Sequence, residues 1–195
     1  MSKLRIIVAL LIVLCIDGAY GQNPISGDFI YWTKNNKITW SDFLGMPSSS
    51  LKTQYDTEAK AVSAVKIKYE MLLDTDWVKF NIYCCFNKIE SWTKDTNSAK
   101  GLEHEQLHFD IGELYARKMR KEFNNLRDKE IYEGAIYDQK FDSILQACND
   151  YQDLYDKETL HGAVLVGQQK WDKKILVELK ELESYYVEYP GGASF

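Results

Sequence analysis

The hydrophobic pattern of this chain changes period near residue 98, and that change dictates the class of fold. From Ala61 to Met71, residues Val65, Ile67, Tyr69 and Met71 alternate with polar neighbours, and Trp77 to Phe86 alternate likewise beyond the turn-like Asp74-Thr75-Asp76. A period of two places one set of side chains on one face of a strand, so the two stretches are expected to pair as an antiparallel hairpin. Beyond Ser98, a suitable N-cap, Leu107, Ile111, Tyr115, Met119 and Phe123 recur at helical spacing to about residue 126. A second helix is expected over about 133–155 and a third over about 163–185, the latter with Trp171, Ile175, Leu179 and Leu182 on one stripe. A short N-terminal strand is expected at Lys37 to Trp40, ahead of the turn marked by Gly45 and Pro47. Strands first and helices afterwards mean an α+β domain. Its small antiparallel sheet, the N-terminal strand plus the hairpin at about 61–86, packs on three helices at about 98–126, 133–155 and 163–185.

Residues 1–21 read differently from the rest. Lys3 and Arg5 precede an apolar run from Ile6 to Ile16, and Ala19-Tyr20-Gly21 offers small residues where a signal peptidase reads. The run is too short to cross about 30 Å of hydrocarbon as a helix. Residues 1–21 are therefore expected to be a cleaved signal peptide, cut near Gly21, and residues 22–195 a single exported domain, secreted or periplasmic, with a loose tail over 189–195. Nothing later reads as a membrane span, so no stable membrane insertion is expected after cleavage. A formal charge of −5 and a pI near 5.3 argue against nucleic acid as a partner. The basic cluster Arg117, Lys118, Arg120, Lys121 falls late in the first helix, where cations complement the macrodipole.

Cys84, Cys85 and Cys148 remain after cleavage. Cys84 shares the apolar strand face of Val78, Phe80, Ile82 and Phe86, and Cys148 shares the helix stripe of Phe141, Ile144, Leu145 and Tyr155. A Cys84–Cys148 disulfide is the expected pairing, set against buried free thiols.

The chemistry concentrates in His104-Glu105-Gln106-Leu107-His108, which fits H-E-x-x-H and uses two of the chain's three histidines. Residues four apart on a helix stand one turn above each other, so both imidazoles can address one zinc ion. Glu105 lies about 100° round the same helix, where a carboxylate can take a proton from an activated water. Two histidines hold zinc poorly, and catalytic sites usually supply three protein ligands. The sequence after His108 runs on as a good helix, Gly112-Glu113-Leu114-Tyr115-Ala116, so the third ligand must come from another element. Asp110 and Glu113 lie about 200° and 140° round from His108 and are read as helix salt bridges or packing hydrogen bonds. His161, at the polar junction between the second and third helices, is the candidate third ligand. Glu158 is an alternative, and Asp156 or Glu158 is a candidate for orienting an imidazole.

Three blocks together resemble the secreted zinc-dependent proteases of the zincin type, a group of bacterial proteins of unknown function. They are Ile38 to Phe43 with Gly45 and Pro47, then His104 to Arg120, then Tyr155 to Trp171 with Asp156, Thr159, His161, Gly162 and Gln169. The resemblance spans most of the mature chain. It implies a zincin-like metallopeptidase domain with His104 and His108 as zinc ligands and Glu105 as the catalytic carboxylate, and it adds weight to His161 as the third ligand.

The expected function is a zinc-dependent hydrolase that cleaves peptide bonds, with Zn2+ as cofactor and a peptide or protein as substrate. The alternatives are an amidase acting on another amide, such as a cell-wall peptide, and a metal-stabilised binding module without catalysis. A structural zinc site favours cysteine ligands at C-x₂₋₄-C spacing, which this chain lacks.

Overall fold

The computed structural model describes residues 27–47 and 60–190. The expected signal peptide lies outside the described residues. So do residues 191–195 of the expected loose tail, whereas Tyr189 stacks on Tyr31 with ring centroids 3.5 Å apart. Five strands precede three helices: β1 (Phe29–Tyr31), β2 (Ala61–Val62), β3 (Val65–Leu73), β4 (Val78–Asn87) and β5 (Trp92–Thr93), then α1 (Ala99–Asp128), α2 (Gly134–Thr159) and α3 (Leu165–Glu181). The fold is α+β, as the change of period requires.

β3 and β4 form the expected antiparallel hairpin, with Ile67 opposite Cys84, Tyr69 opposite Ile82 and Met71 opposite Phe80. β4 is central in the order β1-β4-β3, and a second antiparallel ladder joins β2 to β5. The N-terminal strand is not at Lys37 to Trp40, as expected, but at Phe29–Tyr31 against the end of β4. The reason is local. Thr39 and Asp42 form a capping box, the Thr39 amide and hydroxyl both donating to the Asp42 carboxylate at 2.9 and 2.7 Å, and this folds Trp40–Asp42 into a 3-10 turn. Ile38 is buried against α1 instead of lying in a sheet, and its amide donates to Gln106 Oε1 at 3.0 Å.

Helix α1 starts at the expected cap, Ser98 Oγ accepting from the Gly101 amide at 2.9 Å. It is buried on two flanks. Phe109, Ala116, Met119 and Phe123 join Ile82, Cys84 and Phe86 of the sheet in one apolar cluster. Leu107, Ile111, Leu114 and Tyr115 join Cys148, Tyr155, Trp171 and Ile175 of α2 and α3 in another. Gly112 permits the closest approach to the sheet: a Cβ there would stand 2.4 Å from Val65 Cγ1 and 2.8 Å from Cys84 Sγ. At mid-helix, Glu113 accepts from Arg117 Nε at 2.9 Å and Arg120 at 3.0 Å, all three side chains being buried. Arg120 also donates to the Ile82 carbonyl of β4, and Arg117 to the Leu179 carbonyl of α3, so this ion cluster ties the layers together.

The expected Cys84–Cys148 disulfide is not formed. Cys84, Cys85 and Cys148 are all free and buried, with Cys84 and Cys148 in separate clusters. Burial pushes the Cys85 thiol up to about 11 and the Cys148 thiol up to about 12. Among the described residues no helix is long and apolar enough to cross a membrane.

Candidate metal centre

Because α1 runs unbroken through Gly112, His104 and His108 sit one turn apart on one face, their ring centroids 4.7 Å apart. Their Nε2 atoms approach to 3.2 Å, and each lies 3.0 Å from the same oxygen, Asp156 Oδ1. These three donors form a cluster whose ligand atoms all lie within 4.8 Å of one another. Two ring nitrogens and a carboxylate oxygen aimed at one point make a donor set of the kind that binds a divalent cation. Burial works against a charged His108, but the hydrogen bond and charge of Asp156 outweigh it and raise the imidazole to about 9. Burial opposes ionisation of Asp156 as well, and the hydrogen bonds from His104 and His108 win, holding its carboxyl well below the usual range.

Asp156 reaches the cluster because α2 continues past Tyr155 to Thr159. That extra turn adds Asp156 to the face on which Gln152 and Tyr155 already meet α1. Tyr155 is fully buried, its ring stacked on His104 at 4.6 Å and edge-on to His108 at 4.9 Å, and its hydroxyl donates to Gln168 Oε1 at 2.8 Å. It therefore supports the imidazoles from behind.

The helix ends in a tight reversal. Leu160, His161 and Gly162 have φ of 48°, 52° and 79°, and the first two pay about 1–2 kcal/mol each for a left-handed backbone without being glycine. Buried Thr159 holds the turn, its hydroxyl donating to the Tyr155 carbonyl at 2.8 Å and accepting from the Gly162 amide at 3.3 Å. Gly162 lies flat on His104, where a Cβ would stand 2.9 Å from His104 Cβ. His161, expected as third ligand, stands at the rim outside the mutually close donors. Its side chain is 63 % exposed and its Nδ1 lies 3.3 Å from Asp156 Oδ1. The reversal after α2 leaves this ring beside the carboxylate and gives Asp156 the inner place. Glu158 faces away, accepting from Trp171 Nε1 at 2.8 Å and so clamping α2 to α3.

Asp110 and Glu113 take the packing roles read from their helical angles: Asp110 accepts from Trp32 Nε1 at 2.7 Å and Gln106 Nε2 at 2.9 Å, and Glu113 holds the two arginines. Glu105 is different. It is 6 % exposed, and its Oε2 is the buried side-chain oxygen with no hydrogen-bond partner among the described residues. A carboxylate buried without a partner is costly, and here it borders a cleft of about 910 Å³ that also reaches His104, His108, Asp156 and His161. An unfilled acceptor beside three converging donors fits a cation with its associated water.

Three contributors lay beyond the sequence reading: Asp156 as an inner donor, and Gln152 and Gln168 behind the imidazoles. The spacing of 152, 155, 156 and 159 would have revealed this face had the second helix been extended one turn.

No curated protein and no solved structure matches the chain. Residues 35–162, which include the turn at Trp40–Asp42, the H-E-x-x-H helix and the reversal at Gly162, match the family described as Bacterial protein of unknown function (DUF922). The match covers more than half of the sequence, and the chain belongs to that family.

Proposed function

We propose that the protein is an exported zinc-dependent hydrolase that cleaves peptide bonds, with the cation held by His104, His108 and Asp156 and with Glu105 as the catalytic carboxylate. The observation that carries this reading is the buried, unpartnered Glu105 Oε2 beside the three converging donors. A divalent cation bound there supplies Lewis acidity, polarising a carbonyl and acidifying water. Glu105 accepts a proton from the attacking water, the water oxygen bonds to the scissile carbonyl carbon, and the carbon–nitrogen bond breaks as the proton passes to the leaving amine. His161 stays at the rim, its Nδ1 3.3 Å from Asp156 Oδ1.

The cleft favours an extended substrate. β2 takes β5 on one edge, and among the described residues no strand lies on its other edge, while residues Lys60 to Ser63 line the cleft wall. A strand with a free edge can align a peptide by main-chain hydrogen bonds.

The test compares Glu105→Gln with the unaltered protein on a broad peptide library, alongside zinc stoichiometry. The expected result is zinc content unchanged and turnover reduced about 10²–10⁴-fold, the usual worth of a positioned general base. Unaltered cleavage removes Glu105 from the mechanism. Zinc uptake with no cleavage of any peptide by the unaltered protein favours a non-catalytic, metal-stabilised module.

A further inference from the structure

Behind each imidazole of the pair stands a glutamine. His108 Nδ1 lies 2.5 Å from Gln152 Oε1, and His104 Nδ1 lies 3.3 Å from Gln168 Oε1. Surrounding groups fix which end of each amide faces the ring. The Gln152 NH₂ donates to the His108 carbonyl at 3.0 Å, so its oxygen is the end left for Nδ1. The Gln168 NH₂ donates to Asp172 Oδ1 at 2.8 Å, while its oxygen accepts from the Tyr155 hydroxyl at 2.8 Å. Both amides are therefore acceptors toward the rings, and a ring nitrogen facing an acceptor must carry the hydrogen. With hydrogen held on Nδ1, the ring nitrogen that each imidazole can offer to a cation is Nε2, the atom that meets Asp156 and the other ring.

We infer that Gln152 and Gln168 are positioning residues that lock both histidines of the H-E-x-x-H pair in the tautomer that ligates through Nε2. The inference rests on the cation being held by His104 and His108 and is independent of peptide hydrolysis. The two clamps come from different elements. Gln152 stands on α2 one turn before Asp156, so one helix face supplies both a ligand and the clamp of the opposing ligand. Gln168 stands on α3, outside the segment that matches the family, and is 4 % exposed. The clamps are neutral amides, so Asp156 and Glu105 are the carboxylates that balance a divalent charge at the cluster.

The test uses Gln152→Leu, Gln168→Leu and Gln152→Glu in the full chain, with zinc affinity measured by chelator competition. Cadmium-113 substitution with nitrogen-15 histidine spectra reports which ring nitrogen holds the metal. Leucine keeps the bulk and loses the acceptor, so zinc affinity should fall about 10–100-fold, the usual cost of removing such a partner. Glutamate loses the amide donor, as leucine does, but keeps the acceptor, so Gln152→Glu should bind zinc at least as tightly as the unaltered protein. The unaltered protein should show cadmium coupling to Nε2 of both rings and slowly exchanging Nδ1 protons, and each leucine variant should lose that protection at its own histidine. Equal zinc affinity in the leucine variants, or coupling through Nδ1 in the unaltered protein, overturns the clamp and leaves the metal centre standing. No zinc uptake by the unaltered protein overturns both.

Discussion

Replacing Asp156 by Asn in the metal-free protein tests the electrostatics of the cluster through stability alone. Asp156, with smaller contributions from Glu105 and Gln152, raises His108 from 6.5 to about 9 against the opposing effect of burial. At 1.36 kcal/mol per pKa unit, that rise corresponds to about 3 kcal/mol of folding free energy. The His108 side chain is only 13 % exposed, so solvent screens little of it. A raised folded-state value means that the stabilisation is fully present below 6.5 and is lost as pH climbs through about 9. The depressed Asp156 carboxyl is the other half of the same pair, and its share persists above the ordinary carboxylate range, so it leaves the alkaline window unchanged. Urea unfolding in chelator at about pH 6 and about pH 10 reads the effect. The gap in stability between Asp156→Asn and the unaltered chain should be larger by up to about 3 kcal/mol at the lower pH than at the higher, where the carboxyl's own share remains. The buried thiols, none of which feels Asp156, cancel in the difference. Parallel stability curves, with a gap independent of pH, would refute the claim that Asp156 holds a protonated His108.

Two further outcomes follow from the packing. Gly162→Ala forces a side chain onto a φ of 79° and to within 2.9 Å of His104 Cβ, so unfolding should show a loss of about 2–4 kcal/mol and zinc titration a weaker site. A stability change below about 0.5 kcal/mol would mean that the reversal has room to move. Glu113→Ala leaves the Arg117 and Arg120 guanidinium groups buried without their carboxylate and should cost about 3–5 kcal/mol in thermal or urea unfolding. Such a variant should still bind zinc where it folds, since Glu113 faces away from the cluster.

The legible parts of this molecule were those set by local periodicity. The hairpin, the Ser98 cap and the unbroken run of α1 through Gly112 each follow from a few residues, and the helical angle alone placed Asp110 and Glu113 away from the metal face. The three-residue strand β1 was hidden because Phe29-Ile30-Tyr31 has no alternation to read, and its partner is supplied by β4. The strand expected at Lys37 to Trp40 fell to turn chemistry, since Thr39 and Asp42 form a cap that apolar pattern does not register. The place of Asp156 among the close donors was hidden for a related reason. A helix ended at Tyr155 leaves Asp156 in a loop and makes His161 the natural ligand, whereas the added turn swings Asp156 inward and the left-handed reversal carries His161 to the rim. The expected disulfide is absent because a shared apolar character does not bring two thiols into bonding contact, and Cys84 and Cys148 pack into separate clusters.

The most direct measurement is the diffraction structure of the zinc-loaded chain with anomalous data collected at the zinc edge. One anomalous peak is expected, bounded by His104 Nε2, His108 Nε2 and the Asp156 carboxylate, with Glu105 facing the open side and His161 off the ion. A peak bound by His161 in place of Asp156, or zinc density only away from the H-E-x-x-H turn, would contradict it.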